Sequence, residues 1–408
     1  MLNQISFFDG TQPFRNNKPI RLIELFAGYG SQALALKYLG VPFEHYRISE
    51  WATKSIQAYK DIHAHSDATD YSDGKTYAEI KRWLSGKISF DYNTPATEKQ
   101  IERLSETTAR TLYNAMQATR NVGSITQATA DDLAIERTDE FLYIMTYSFP
   151  CQDLSAAGNG AGMAKGSETR SGLLWEVERL LSECRELPQV LLMENVPQVI
   201  GGGAIADFVQ WREFLESLGY KNYHKLMNAK DYGIPQNRNR CFMVSIRGDY
   251  YFTFPKPREL QYRLKDFLDR HVEEKYYLSD ATIAMFEKHT AAQQAKGNGF
   301  KFEPTSGGGY AKTISTRAGA RTDDNFIIEQ GNEARADNDS RGDDLCERLQ
   351  GLRQPSNECC SGNAGGDFGI TIGKSAAFQR GPLPGISRTI DTQGTNGVIL
   401  WTKQNANK

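Results

Sequence analysis

Blocks of apolar residues, separated by polar and glycine-bearing turns, run through the first 250 residues. Residues 20–26, Ile-Arg-Leu-Ile-Glu-Leu-Phe, read as a first strand. Ala27-Gly28-Tyr29-Gly30 makes a tight turn, and residues 31–39 read as a helix with Ser31 near its start and Gly40 as its stop. Residues 43–49 form a second strand ending at Glu50. The run 141–147 is apolar and β-rich, as a buried parallel strand is. Residues 172–187 predict a helix with Leu173, Leu174, Val177, Leu180 and Leu181 on one face. A strand at 190–193, a helix at 208–218 stopped by Gly219, and a strand at 240–246 complete the series. This alternation predicts an α/β fold: a doubly wound, Rossmann-like, mostly parallel sheet with helices on both faces.

Two stretches depart from it. Residues 61–120 carry charged, helix-favouring segments such as 98–117 and predict a helical insertion on the surface. After about residue 250 the alternation stops, and Gly, Ser, Thr, Asn and Asp rise, notably at 305–325 and 356–374. A second, irregular β-rich region is expected there. It holds a faint repeat, residues 309–316 being echoed by 385–392, which spacing alone does not separate from two similar β-hairpins. The expected domains are 1–250 and 251–408.

Composition narrows the picture. A chain of 408 residues accommodates a full α/β domain and a second one. A net charge of −2 gives no global basic field, which leaves room for a local basic cleft. The six cysteines, at 151, 184, 241, 346, 359 and 360, form no CxxC pair. Neither a disulfide framework nor a zinc site is expected, and a reducing cytoplasm fits. No signal peptide and no membrane-spanning run is evident.

The candidate chemistry gathers at predicted strand ends. Ser148-Phe149-Pro150-Cys151-Gln152-Asp153-Leu154-Ser155 follows the strand 141–147, where open α/β sheets place ligands. Proline stiffens the backbone before a thiol, and Gly158, Gly160 and Gly162 loosen it beyond. A thiolate there would be a strong nucleophile, although most single cysteines are small core residues. Phe26-Ala27-Gly28-Tyr29-Gly30 is a nucleotide-type loop, and Glu50 suits a ribose diol. The loop lacks G-x-G-x-x-G spacing, so S-adenosylmethionine fits better than a dinucleotide. Glu194-Asn195-Val196 follows the strand 190–193, and a carboxyl in a dry pocket can keep its proton and act as an acid. In Gln236-Asn237-Arg238-Asn239-Arg240, alternation lets Gln236, Arg238 and Arg240 point together. Singly, these three motifs also read as a structural turn, an acidic helix cap and a solvated basic strand end.

Together, in this order and spacing, the motifs closely resemble those of the C5-cytosine DNA methyltransferase family, over residues 20–247. Phe26–Gly30 resembles its cofactor motif, Pro150-Cys151-Gln152 its nucleophile motif, Glu194-Asn195-Val196 its acid motif, and residues 236–240 its Q-x-R-x-R. Arg170-Ser171-Gly172-Leu173-Leu174 resembles a further segment that touches the cofactor. The style is similar to enzymes of bacteria and their phages. The resemblance implies an S-adenosylmethionine-dependent methyltransferase fold. It also implies methyl transfer from S-adenosylmethionine to C5 of a cytosine flipped out of double-stranded DNA. It assigns Cys151 to attack at C6, Glu194 to N3, Arg240 to O2, and Arg238 to the loop or a phosphate. Asn195 is assigned to hold the cysteine loop, Ser155 to a phosphate, and Gln152 and Gln236 to the DNA side. Phe26, Gly28, Gly30, Glu50, Ser124, Ile125, Pro150 and Leu173 are assigned to the cofactor, and no residue to a metal.

Three departures stand out. Ser31 replaces a glycine of the cofactor motif. Ser124, in Gly123-Ser124-Ile125, stands where the family carries an adenine-contacting Asp. The terminal pair of motifs has only faint echoes, at Arg348-Leu349-Gln350-Gly351-Leu352 and Gly362-Asn363-Ala364. The expectation drawn from this is weak cofactor binding by the chain alone and a second polypeptide supplying the missing motifs. The competing readings are an RNA cytosine-5 methyltransferase and a truncated, non-catalytic DNA-binding or partner subunit.

Overall fold

The computed structural model describes residues 12–151, 163–166, 169–269, 276–297, 299, 301–313, 324–329 and 400–403. Gln152, Ser155, the second repeat copy and both faint terminal motifs lie outside these residues.

The described residues group into two units, one of residues 12–228 with 239–256, the other of 229–238 with those from 257 onward. The segment 229–238 thus groups with the second unit although it precedes residue 250.

In the first unit β1 (Gln12–Pro13) and β9 (Tyr250–Tyr251) pair with each other. The central sheet comprises β2 (Ile20–Leu25), β3 (Phe43–Ser49), β4 (Leu142–Tyr147), β5 (Val190–Asn195), β6 (Tyr220–Asn228) and β8 (Asn239–Arg247), in the order β3-β2-β4-β5-β8-β6. The first four are mutually parallel, and β8 runs antiparallel to both β5 and β6. Alternation along β2 divides its residues between two helical layers. Ile23 and Leu25 enter a cluster with Leu174, Val177, Leu180 and Leu181 of α7 (Leu174–Glu183) and Phe208, Trp211 and Leu215 of α8 (Ile205–Ser217). Glu24, between them, meets α1 (Ser31–Tyr38) and α2 (Thr53–His63) instead. The sheet is doubly wound, as its sequence pattern predicts.

Strand β6 is not predicted from sequence. Its residues, Tyr-Lys-Asn-Tyr-His-Lys-Leu-Met-Asn, carry no apolar run because it is an edge strand, where charged side chains are tolerated and deter pairing with other chains.

Helices of the 61–120 stretch build a core of their own. The helices α3 (Tyr77–Leu84), α4 (Glu98–Glu102) and α5 (Glu106–Ala118) bury Ile80, Leu84, Ile101, Leu112 and Met116 together with Ile56 of α2. Bridges Ile48↔Asn121 and Ala52↔Ser89 tie it to the end of β3. A short α6 (Ala130–Leu133) leads into β4.

In the second unit, β7 (Gln236–Asn237) pairs with β10 (Ala311–Lys312), and β11 (Phe326–Glu329) with β12 (Leu400–Lys403). It also contains a helix that the sequence pattern does not announce, α9 (Asp280–Ala295), started by Ser279, whose hydroxyl accepts the Thr282 N–H. Only Phe286 of α9 is buried, packed on Phe302 and Phe326, so no apolar stripe marks it. No described helix is long and apolar enough to cross a membrane.

Candidate active site

The register puts the carboxyl ends of β2, β3, β4 and β5 on one edge of the sheet, since Leu25 faces Ser49 and Tyr147, and Tyr147 faces Met193. Antiparallel β8 begins at that same edge, with Cys241 opposite Asn195. Reversal of the last strand is therefore what delivers Arg240 to the edge that carries the loops after β2 and β4.

Cys151 is partly buried, four residues beyond β4. Three side chains from other elements hold the turn before it. Asn195 Nδ2 donates to the Phe149 carbonyl at 3.1 Å, Ser171 Oγ to the Pro150 carbonyl at 2.9 Å, and Gln32 Nε2 to Ser148 Oγ at 3.2 Å. Phe149 is buried, anchoring the turn. Burial pushes the thiols of Cys184 and Cys241 up to about 11 and about 12 respectively, so both are neutral and poor nucleophiles near pH 7.

Glu194 and Asn195 are the last two residues of β5 and pair with Phe242 and Cys241; they do not follow the strand, as the sequence reading expects. The ladder fixes their alternation, so Asn195 is buried while Glu194 keeps partial access. Arg240 Nε lies 3.2 Å from Glu194 Oε1, and the two side chains are 16% and 20% exposed. A second Arg240 nitrogen donates to the Asn239 carbonyl.

The Q-x-R-x-R segment is not the continuous extended run expected. The Arg238 N–H turns back to the Gln236 carbonyl, which breaks the alternation between β7 and β8. Gln236 and Arg238 belong to the second unit and Arg240 to the first. Gln236 is 2% exposed, and neither polar atom of its side-chain amide has a hydrogen-bond partner among the described residues.

The glycine loop is strained and specific. Phe26 has φ 57°, a left-handed conformation that costs a bulky residue roughly 1–3 kcal/mol. Gly28 (φ 55°) faces open space, whereas a Cβ on Gly30 (φ 75°) would lie 2.4 Å from His63 Nε2. The Glu50 carboxylate accepts the Gly28 N–H at 2.8 Å and the Ala52 N–H at 2.7 Å, and burial pushes it up to about 7. Ser124 is buried with its hydroxyl 2.9 Å from that of Thr126; Ile125 is buried, and Leu173 packs against the core at the start of α7.

Several supporting residues escape sequence reading. Asn121 accepts the Glu50 and Gly123 N–H groups and donates to the Glu50 carbonyl, which joins the ends of β3 and the insertion. Ser171 and Gln32 hold the cysteine turn. Glu24 is buried inside an apolar run, and that misfit is the one signal a sequence offers. Among the described residues no group of three or more His, Cys, Asp or Glu could hold a metal ion.

The family model for C-5 cytosine-specific DNA methylase matches residues 88–354. The chain is similar to the type II methyltransferase M2.ScrFI of Lactococcus lactis subsp. cremoris, with 37% identity over 65% of this chain and 72% of the relative. It is also similar to the orphan methyltransferase M.SssI of Spiroplasma monobiae, with 36% identity over 64% and 68%. A solved structure, the S. pombe Dnmt2 methyltransferase, is similar at a TM-score of 0.49 and 14% identity, covering 82% of each chain. The chain belongs to the family of C-5 cytosine-specific DNA methylases.

Proposed function

We propose that this DNA cytosine-5 methyltransferase works through Cys151, Glu194 and Arg240. The observation that carries the reading is the Glu194–Arg240 pair beside the braced cysteine turn. N3 and O2 are neighbouring atoms on one edge of cytosine, so the groups that read them must sit side by side. Glu194 supplies a proton or hydrogen bond at N3, and Arg240 donates to O2. Both withdraw electrons from C6, where the Cys151 thiolate adds. Addition makes C5 nucleophilic, and after C5 is methylated a base removes its proton and the thiolate leaves. Asn195 and Ser171 keep the turn fixed, which makes the attack intramolecular in effect. Gln152 and Ser155 are assigned to the DNA side of the same loop.

S-adenosylmethionine is the methyl donor; when bound it supplies an electrophilic methyl group. The residues present fit it. Gly28 opens onto free space, and the N-terminus of α1, with Gly30 as its cap, faces a carboxylate favourably. Each Glu50 oxygen takes one backbone N–H, which leaves acceptor capacity for ribose hydroxyls. Phe26, Ser124, Ile125, Pro150 and Leu173 are assigned to the walls. No residue is assigned to a metal. The second unit, with Gln236 and Arg238, is proposed to read the duplex, and the role to be sequence-specific modification of the type II kind. The test is Glu194→Gln, which keeps shape but removes the acid. Loss of general acid assistance is expected to lower methyl transfer about 10²–10⁴-fold with DNA affinity unchanged; unaltered turnover would remove Glu194 from the mechanism.

A further inference from the structure

Beneath the glycine loop lies a group of buried polar side chains that the chemistry above does not use. Glu24, next to last in β2, is 1% exposed. Its Oε1 accepts the Ala33 N–H at 3.1 Å, and its Oε2 accepts the Tyr59 hydroxyl at 2.6 Å. Ala33 is the third residue of α1, and the cap residue Gly30 has no side chain to satisfy the free N–H groups of the first turn. Glu24 performs that task from the strand below. Because Tyr59 donates to Glu24, its oxygen is free to accept from His45 Nδ1, 3.1 Å away. One turn further along α2, His63 Nε2 lies 2.8 Å from the Tyr29 carbonyl. A carbonyl only accepts, so Nε2 carries the proton; the buried Nδ1 has no partner among the described residues. The rings of Tyr59 and His63 pack at a tilt of 43° with centroids 4.5 Å apart, filling the space a Cβ at Gly30 would need.

We infer that Glu24, Tyr59 and His63 are positioning residues for the cofactor: they hold the Gly28–Gly30 backbone and the first turn of α1 in the shape that receives S-adenosylmethionine. The inference rests on the reading that this loop holds the cofactor. Glu24 fixes the helix start, His63 fixes the middle carbonyl of the loop, and Tyr59 links the two. None of the three has to touch the ligand. None of these hydrogen bonds ends on the cysteine turn, which α1 reaches separately through Gln32 and Ser148, so the main effect is expected on cofactor binding.

The test is calorimetric titration of the full chain with S-adenosylmethionine, beside duplex-DNA affinity. Tyr59→Phe keeps the ring against Gly30 and removes the hydroxyl. It is expected to weaken cofactor binding about three- to tenfold, the size of one net hydrogen bond, while DNA affinity and the rate at saturating cofactor stay within twofold. His63→Ala is expected to do the same, and His63→Gln, whose amide can donate to the Tyr29 carbonyl, to restore most of the loss. Amide exchange in the cofactor-free chain, read over residues 27–34, should quicken in Tyr59→Phe and His63→Ala. Unchanged cofactor affinity and exchange in both variants would overturn the inference, as would equal losses of cofactor and DNA affinity. If the unaltered chain fails to bind S-adenosylmethionine, the parent reading of the loop fails instead.

Discussion

Replacing Asn195 by Asp isolates the brace on the cysteine turn. The residue is 2% exposed and makes two bonds, Nδ2 to the Phe149 carbonyl at 3.1 Å and Oδ1 from the Val196 N–H at 2.8 Å. Aspartate keeps the second bond and the shape. The first is replaced by an oxygen facing a carbonyl oxygen, with no donor between them. A buried carbonyl left unpaired costs about 1–3 kcal/mol, so about 2 kcal/mol of stability is at stake. At about 2–4 °C per kcal/mol for a unit of this size, Tm should fall by about 4–8 °C. The turn can relieve the repulsion only by moving Phe149 and Pro150, and Cys151 with them. A shift of about 1 Å at a reacting atom costs on the order of 10²-fold in rate. The assay is transfer of labelled methyl groups to duplex DNA at saturating cofactor, with Tm and DNA affinity measured on the same preparation. The expected result is kcat down about 10²-fold with DNA affinity unchanged. A stably folded Asn195→Asp with kcat within threefold of the unaltered chain would refute the brace.

Stability against pH should show two opposed effects in one unit. Burial raises Glu24 and Glu50 from 4.5 to about 7 and lowers His45 and His63 from 6.5 to about 4. The carboxyls hold more protons folded than unfolded, so their contribution falls as pH rises from about 4.5 to 7. The imidazoles hold fewer protons folded, so theirs grows as pH rises from about 4 to 6.5. Denaturant titrations should therefore give a nearly flat profile between those limits, and Glu24→Gln should tilt it upward with pH by about 3 kcal/mol; an unchanged profile would mean that Glu24 does not titrate there. Exchanging the second unit for a relative's counterpart should change the sequence that is methylated. A hybrid still active on the original sequence would place recognition in the first unit.

Much of the catalytic sheet is legible in the residues. Strands β2, β4 and β5 are apolar runs because parallel strands are covered on both faces, and Gly28 and Gly30 mark a turn that needs positive φ. Strand β6 was hidden by its place at the edge. The direction of β8 was hidden for another reason: period-2 patterning is the same for either direction, and only pairing with β5 and β6 settles it. That direction brings Arg240 to Glu194, so the residues were legible and their juxtaposition was not. Ser171, Gln32 and Asn121 are ordinary polar residues in sequence. Their importance comes from bonding to atoms far along the chain, which no local pattern records.

The central claim is that Cys151 forms the bond to cytosine. Duplex DNA with 5-fluorocytosine at every cytosine position tests it, because a C5 fluorine cannot leave as a proton and the adduct accumulates. The measurement is the mass of the protein after incubation with that DNA and S-adenosylmethionine, followed by digestion to find the modified peptide. A stable protein–DNA adduct is expected on the peptide containing Cys151, absent in Cys151→Ala. An adduct that survives in Cys151→Ala, or that maps to Cys184 or Cys241, would contradict it.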